Sequence, residues 1–148
     1  MLPSIGNATL MSRMDEWTAV EKLSVPASAI GGSSARAGIR PALNDMSKSE
    51  QEIVELLAAS LVTNAVRHSG MSEPDVVEVA VYRNDVRTVR IEVTDIGPGF
   101  APASVSHRGF GLQVLDFLAS RWGVDHELGR TTVWFELRRQ PSRGLARL

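Results

Sequence analysis

Apolar positions along the chain fall into two repeats. The longest helical one places Ile53, Leu56, Leu57, Leu61 and Ala65 at i, i+3, i+4, i+8 and i+12, a buried stripe of period 3.6. Ser47-Lys48-Ser49-Glu50 ahead of it is a capping-box pattern, repeated one step on by Ser49 and Glu52, and Gly70 is the expected stop. Alternating patterns predict strands over Val76 to Tyr82 and Val86 to Thr94, joined by a short turn around Asn84-Asp85. Upstream, Trp17 to Val25 suits a first strand ended by Pro26. Ser28 to Leu43 reads as a helix with Ala29, Ala35, Ile39 and Leu43 near one face, although Gly31, Gly32 and Gly38 weaken it. Downstream, a Gly/Pro-rich stretch runs from Ile96 to Phe110. Gly111 to Trp122 is expected to be helical through Leu112, Leu115, Leu118 and Ala119. Val124 to Leu128 and Thr131 to Leu137 form a closing hairpin across Gly129-Arg130.

The resulting order, β-α-α-β-β-loop-α-β-β, implies an α/β (α+β) two-layer sandwich: a mixed, mostly antiparallel sheet with helices on one face. Residues 1–15 show no periodicity and read as a flexible leader, within which Met11 or Met14 would serve equally as a start. Residues 16–138 form the domain and 139–148 a polar tail.

Composition narrows the function. The 148 residues are 43% hydrophobic and 22% charged, as in a globular protein. There is no cysteine, which removes disulfides and thiolate metal sites and fits a reducing cytoplasm. Sixteen Lys+Arg against seventeen Asp+Glu give a net charge of -1, which argues against direct nucleic-acid binding. No apolar run approaches the roughly 18 residues of a membrane span, and no signal peptide is apparent. The three histidines are widely spaced and form no metal-ligand pattern.

Three features carry chemistry. On the long helix Ser60, Asn64 and His68 fall at i, i+4 and i+8 beside the apolar stripe, with Arg67 adjacent. An amide on the edge of a buried face needs partners, since leaving it unsatisfied costs roughly 1–3 kcal/mol. Asn64 is either tied to backbone or offers its carbonyl oxygen to a hard cation. In the third strand Val89, Ile91 and Val93 share one face and Arg90, Glu92 and Thr94 the other, so Asp95 continues the apolar side. A carboxylate there requires a donor. Gly97 and Gly99 follow, removing side chains where a ligand must approach. The pattern is either an Asp-initiated turn or a site accepting from an exocyclic amine such as that of adenine. Finally, Arg108-Gly109-Phe110-Gly111-Leu112 leads into a helix whose first N–H groups can address an anion.

As a set, Asn64-Ala65-Val66-Arg67-His68, Asp95-Ile96-Gly97-Pro98-Gly99-Phe100, Arg108-Gly109-Phe110-Gly111-Leu112 and Thr131-Thr132-Val133-Trp134-Phe135 resemble the successive boxes of the histidine-kinase-like ATPase (GHKL, Bergerat-fold) superfamily, which includes gyrase, Hsp90 and MutL. Within it, the short length, Trp122-Gly123-Val124 and the Thr-Val-Trp-Phe strand resemble bacterial anti-sigma-factor serine kinases. The resemblance implies ATP/ADP with Mg²⁺ as cofactors. It makes Asn64 the Mg²⁺ ligand and Asp95 the acceptor of the adenine amine, with Gly97 and Gly99 giving the base room. Arg108, Gly109, Gly111 and Leu112 fall to the phosphate loop and helix start, and Thr131 supports adenine through its hydroxyl. Arg67 or His68 would reach the phosphates, and His68 is equally readable as a satisfied histidine at a helix end.

One position departs from that pattern. The residue four before the Asn is normally Glu, the catalytic base, and here it is Ser60. A serine does not act as a carboxylate base at neutral pH. Glu55 and Glu52 lie five and eight residues back and are not expected to substitute. Nucleotide binding should survive, whereas phosphoryl transfer should be slow or absent. The resemblance thus implies a cytoplasmic bacterial ATP-binding regulator that binds a sigma factor or an anti-sigma-factor antagonist, with a homodimer implied by family likeness. The alternatives are a working serine/threonine kinase acting on the antagonist, and a detached sensor-kinase domain.

Overall fold

A computed structural model of the chain describes residues 17–84, 87–95 and 110–139. Strand β1 (Thr18–Pro26) is followed by helix α1 (Gly31–Ile39), a 3₁₀ turn (Arg40–Leu43) and helix α2 (Lys48–His68). Strands β2 (Val76–Asn84) and β3 (Thr88–Asp95) come next, then helix α3 (Phe110–Leu118) and the hairpin β4 (Arg121–Glu127) and β5 (Arg130–Arg138). The strands lie in the order β1-β2-β3-β5-β4, and every described pairing is antiparallel rather than mixed.

Local chemistry starts and stops α2. Ser47 accepts from the Glu50 N–H and the Glu50 carboxylate accepts from the Ser47 N–H, both at 3.1 Å, closing the capping box. At the other end the Ser69 N–H donates to Ala65, and Gly70 takes φ 79°, a left-handed turn that ends the helix. The buried stripe is rotated from the sequence expectation: Val54, Leu57, Ala58, Leu61, Val62 and Ala65 are buried, while Leu56 is 46% exposed. The reason is that α2 is covered on two sides, by the sheet and by α1, with Val62 lying beside Gly31 of α1.

Helix α1 begins at Gly31, so Ala29 is exposed and Ala27 takes the buried place. The glycines that weaken its propensity are what let it sit where it does. A Cβ on Gly31 would lie 2.4 Å from the Pro26 carbonyl oxygen, and one on Gly38 would run into Leu23. Tertiary packing thus overrides propensity.

The sheet face turned toward the helices carries Val25, Val77, Val79, Val81, Val89, Ile91, Val93, Phe135 and Leu137, all buried. Each fully buried side chain of this size contributes about 1.5–3 kcal/mol. Helix α3 stops at Leu118, and Trp122 belongs to β4 instead of extending the helix as the sequence implied. There Trp122 pairs across the ladder with Phe135, and its ring donates from Nε1 back to Asp116 on α3 at 2.8 Å.

The outer face holds a charged cluster. Arg90 is 5% exposed, donates to Glu92 and Glu136 at 2.8 Å each, and stacks over Trp134 at 4.0 Å. Gly123, the cross-strand partner of Trp134, leaves room for that ring. At the far end of the strands Arg83 and Arg139 both bind Asp45, whose carboxyl is held below its ordinary range chiefly by the Arg83 hydrogen bonds. Arg139, placed in the tail by its polarity, is therefore tied to the domain. No helix among the described residues is long and apolar enough to cross a membrane.

Candidate functional site

Antiparallel register decides which side chains meet at the end of the sheet. Val25 pairs with Val77, Val77 with Asp95, Asp95 with Thr131, and Thr131 with His126. Directly paired residues share a face, so these five form one row across all five strands, on the helix side. Its floor is apolar at Val25 and Val77, and it turns polar at Asp95, Thr131 and His126. Asp95 is 1% and Thr131 3% exposed, whereas His126 lies exposed on the edge strand. Asp95 continues the buried face of Val89, Ile91 and Val93, as the alternation predicts, and Thr131 continues that of Phe135 and Leu137. A carboxylate and a hydroxyl are thereby held side by side where hydrophobic side chains would otherwise close the sheet.

Helix α2 packs on the sheet at β2 and β3. Ser60 and Asn64 stand one turn apart and half-buried. The Asn64 amide makes no hydrogen bond among the described residues, so it is not tied to backbone there. His68, one turn further on, is half-buried, and its Nε2 is enclosed with no hydrogen bond among the described residues. Among the described residues it is thus not a fully satisfied histidine at a helix end. Arg67 is exposed.

The two carboxylates nearest Ser60 in sequence are accounted for. Glu55 is 4% exposed and accepts from Arg40 Nε at 3.0 Å and Nη2 at 3.1 Å, with Arg36 Nε at 3.7 Å. This neutralised carboxylate ties α2 to α1 and the turn after it. Glu52 is exposed.

Of the glycine-rich boxes, Gly97, Gly99, Arg108 and Gly109 lie outside the described residues. The backbone of Gly111 lies in the first turn of α3, and the Leu112 side chain goes into the core at 6% exposure. No cluster of three or more His, Asp or Glu that could hold a metal ion occurs among the described residues. The Asn64 carbonyl is of the donor type a hard ion takes. Two open grooves lie elsewhere, one on the outer sheet face over Lys22, Glu78, Tyr82 and Glu92, the other near Trp17, Arg121 and Arg138. Neither reaches the polar row.

His126 is the residue of this row that sequence reasoning passed over. The predicted hairpin turned at Gly129-Arg130, whereas Glu127 pairs with Arg130 across Leu128-Gly129, with Gly129 at φ 70°. That shift of the two-residue turn by one position sets His126, rather than Leu128, opposite Thr131.

The family model of histidine kinase-, DNA gyrase B- and HSP90-like ATPases matches residues 49–141. No curated protein sequence matches the chain. Among solved structures, the fold is similar to the RsbU and RsbW domains of Rv1364c from Mycobacterium tuberculosis, with a TM-score of 0.62 and 22% identity. That match covers 82% of this chain and 34% of the other, so this chain spans about a third of that protein. A second similar structure is the Acinetobacter baumannii histidine kinase AdeS, at a TM-score of 0.49 and 12% identity over 95% of this chain and 77% of that one. With its order of elements, its antiparallel sheet and the match over residues 49–141, the chain belongs to the histidine kinase-, DNA gyrase B- and HSP90-like ATPase family.

Proposed function

We propose that the chain is an ATP-binding regulator: it takes ATP or ADP with Mg²⁺ between α2 and the polar end of the sheet and uses the bound nucleotide to control a protein partner. The observation that carries this reading is the pairing of Asp95 and Thr131, both nearly fully buried, at the end of the helix-covered face. A buried carboxylate is retained where it has something to hold. Asp95 accepts the adenine amine, and Thr131 offers its hydroxyl alongside. Asn64, whose amide has no partner among the described residues, is the Mg²⁺ ligand, with the nucleotide phosphates supplying further oxygens. Gly97, Gly99, Arg108, Gly109, Gly111 and Leu112 make the phosphate loop and helix start, and Arg67 or His68 reaches the phosphates. The bound metal supplies charge neutralisation between phosphates.

The family's catalytic Glu is replaced by Ser60, and Glu55 is held by two arginines, so phosphoryl transfer is slow or absent. The partner is a sigma factor or an anti-sigma-factor antagonist, a reading supported by the likeness to a structure containing an RsbW domain. A homodimer and a cytoplasmic setting belong to the same reading.

Calorimetric titration with ATP and ADP, together with turnover measured in the same samples, tests it. Wild type should bind both nucleotides and turn over neither at an appreciable rate, and Asn64→Ala should weaken binding only when Mg²⁺ is present. Turnover by wild type would show that another base exists. Absence of binding would defeat the nucleotide reading.

A further inference from the structure

One residue of the polar row has no part in the reading above. His126 Nδ1 lies 3.2 Å from Thr131 Oγ1, across the pair that joins β4 to β5. The next residue in the row on the other side of Thr131 is Asp95. A threonine hydroxyl has one proton and two lone pairs, so what lies on one side decides what it can offer on the other. An ionised carboxylate only accepts, whereas the imidazole accepts or donates at Nδ1 according to its tautomer.

Adenine sets a definite demand on this row. Its edge presents a donor, the exocyclic amine, next to an acceptor, the ring nitrogen N1. Asp95 satisfies the amine and can do nothing for N1. The hydroxyl beside it can, provided its proton is not committed to the histidine. We propose that His126 is a positioning residue for purine recognition, donating from Nδ1–H to Thr131 Oγ1 and so turning the hydroxyl proton toward N1, directly or through one water. This inference rests on the ATP-binding reading. It assigns to an exposed residue on the edge strand a share in choosing the base, because guanine presents a ring N–H where adenine presents N1.

The test is a titration of ATP and of 1-deaza-ATP, in which a C–H replaces N1, against wild type, His126→Ala, His126→Asn, Thr131→Val and the double variant His126→Ala/Thr131→Val. Far-UV circular dichroism and urea midpoints establish that each variant is folded. His126→Ala should weaken ATP about three- to tenfold, the scale of one neutral hydrogen bond. His126→Asn, whose amide can donate from nearly the same place, should recover most of that loss. Neither change should alter 1-deaza-ATP affinity, and His126→Ala should add nothing once Thr131 is valine. A structural role alone would cost both nucleotides equally, and that result overturns the inference. So does unchanged or tighter ATP binding by His126→Ala, which would mean that the histidine had been taking the hydroxyl proton. Asp95→Ala separates the two levels: if wild type binds no ATP, or Asp95→Ala binds it equally well, the nucleotide reading fails and this inference with it. Loss in Asp95→Ala with no effect of His126 overturns the inference alone.

Discussion

Replacing Arg90 by methionine removes the centre of the charged cluster on the outer face while keeping most of its apolar length. Arg90 side-chain exposure is 6% and that of Glu136 is 5%, and Nη1 lies 2.8 Å from the Glu136 carboxylate. Nε lies 2.8 Å from Glu92, which is 19% exposed, and the guanidinium stacks 4.0 Å from the Trp134 ring centroid. Breaking a buried pair by deleting one member costs about 3–5 kcal/mol, because the other charge stays buried. Here Arg121 remains 3.7 Å from Glu136, though half exposed, so the low end applies, about 3 kcal/mol. Against a total stability of roughly 5–15 kcal/mol that is a large fraction. With a urea slope of about 1–3 kcal/mol/M, the midpoint should fall by roughly 1–3 M at unchanged slope. Arg90→Met/Glu136→Leu should recover much of the loss, since no buried charge is then stranded. The cluster lies on the face away from the polar row, so ATP affinity of the folded variant should match wild type. A single variant within about 0.5 kcal/mol of wild type, the range of ordinary surface changes, would refute the claim that the charge is buried and needed.

Three further outcomes follow from named contacts. Gly31→Ala places a Cβ 2.4 Å from the Pro26 carbonyl oxygen and 3.2 Å from Val62, and should cost about 1–3 kcal/mol in urea unfolding. For Asp45 the folded carboxyl titrates below its unfolded value, so its contribution is full above the ordinary carboxylate range and disappears as pH falls through the folded value. Its side chain is 55% exposed, so Asp45→Asn should lose only about 0.5–1 kcal/mol at pH 7, with the difference from wild type vanishing once pH falls below the folded value. Finally, Ser60→Glu should confer ATP turnover on a wild type that shows little, read as phosphate release; no gain would mean that something besides the base is missing.

Much of the fold was legible because it is encoded locally. The Ser47–Glu50 box, the Gly70 stop and the alternation of Val89, Ile91, Val93 and Asp95 each set structure within a few residues, and all appear as read. What escaped depends on partners distant in sequence. The glycines of α1 argue against a helix until Pro26 and Leu23 are seen pressed against them. Leu56 fits a helical stripe, but the stripe turns once α1 covers a second side of α2. Arg90 reads only as a member of the polar face of its strand, because its counterion Glu136 stands 46 positions away. The same holds at the candidate site: Asp95 and Thr131 were marked by pattern and family resemblance, whereas His126 enters through hairpin register. A one-residue shift of the assumed turn, which moves the partner of Thr131 by two positions, was enough to hide it.

On the proposed reading, the row around Asp95 receives adenine. Its most direct test is calorimetric titration of Mg²⁺-ATP into wild type and Asp95→Ala, with urea midpoints confirming that both are folded. Wild type should show saturable one-site binding and Asp95→Ala roughly ten- to hundredfold weaker binding, the scale of a hydrogen bond to a charged group. Equal affinity in the two proteins would contradict it, placing any nucleotide elsewhere and leaving the buried carboxylate to a structural role.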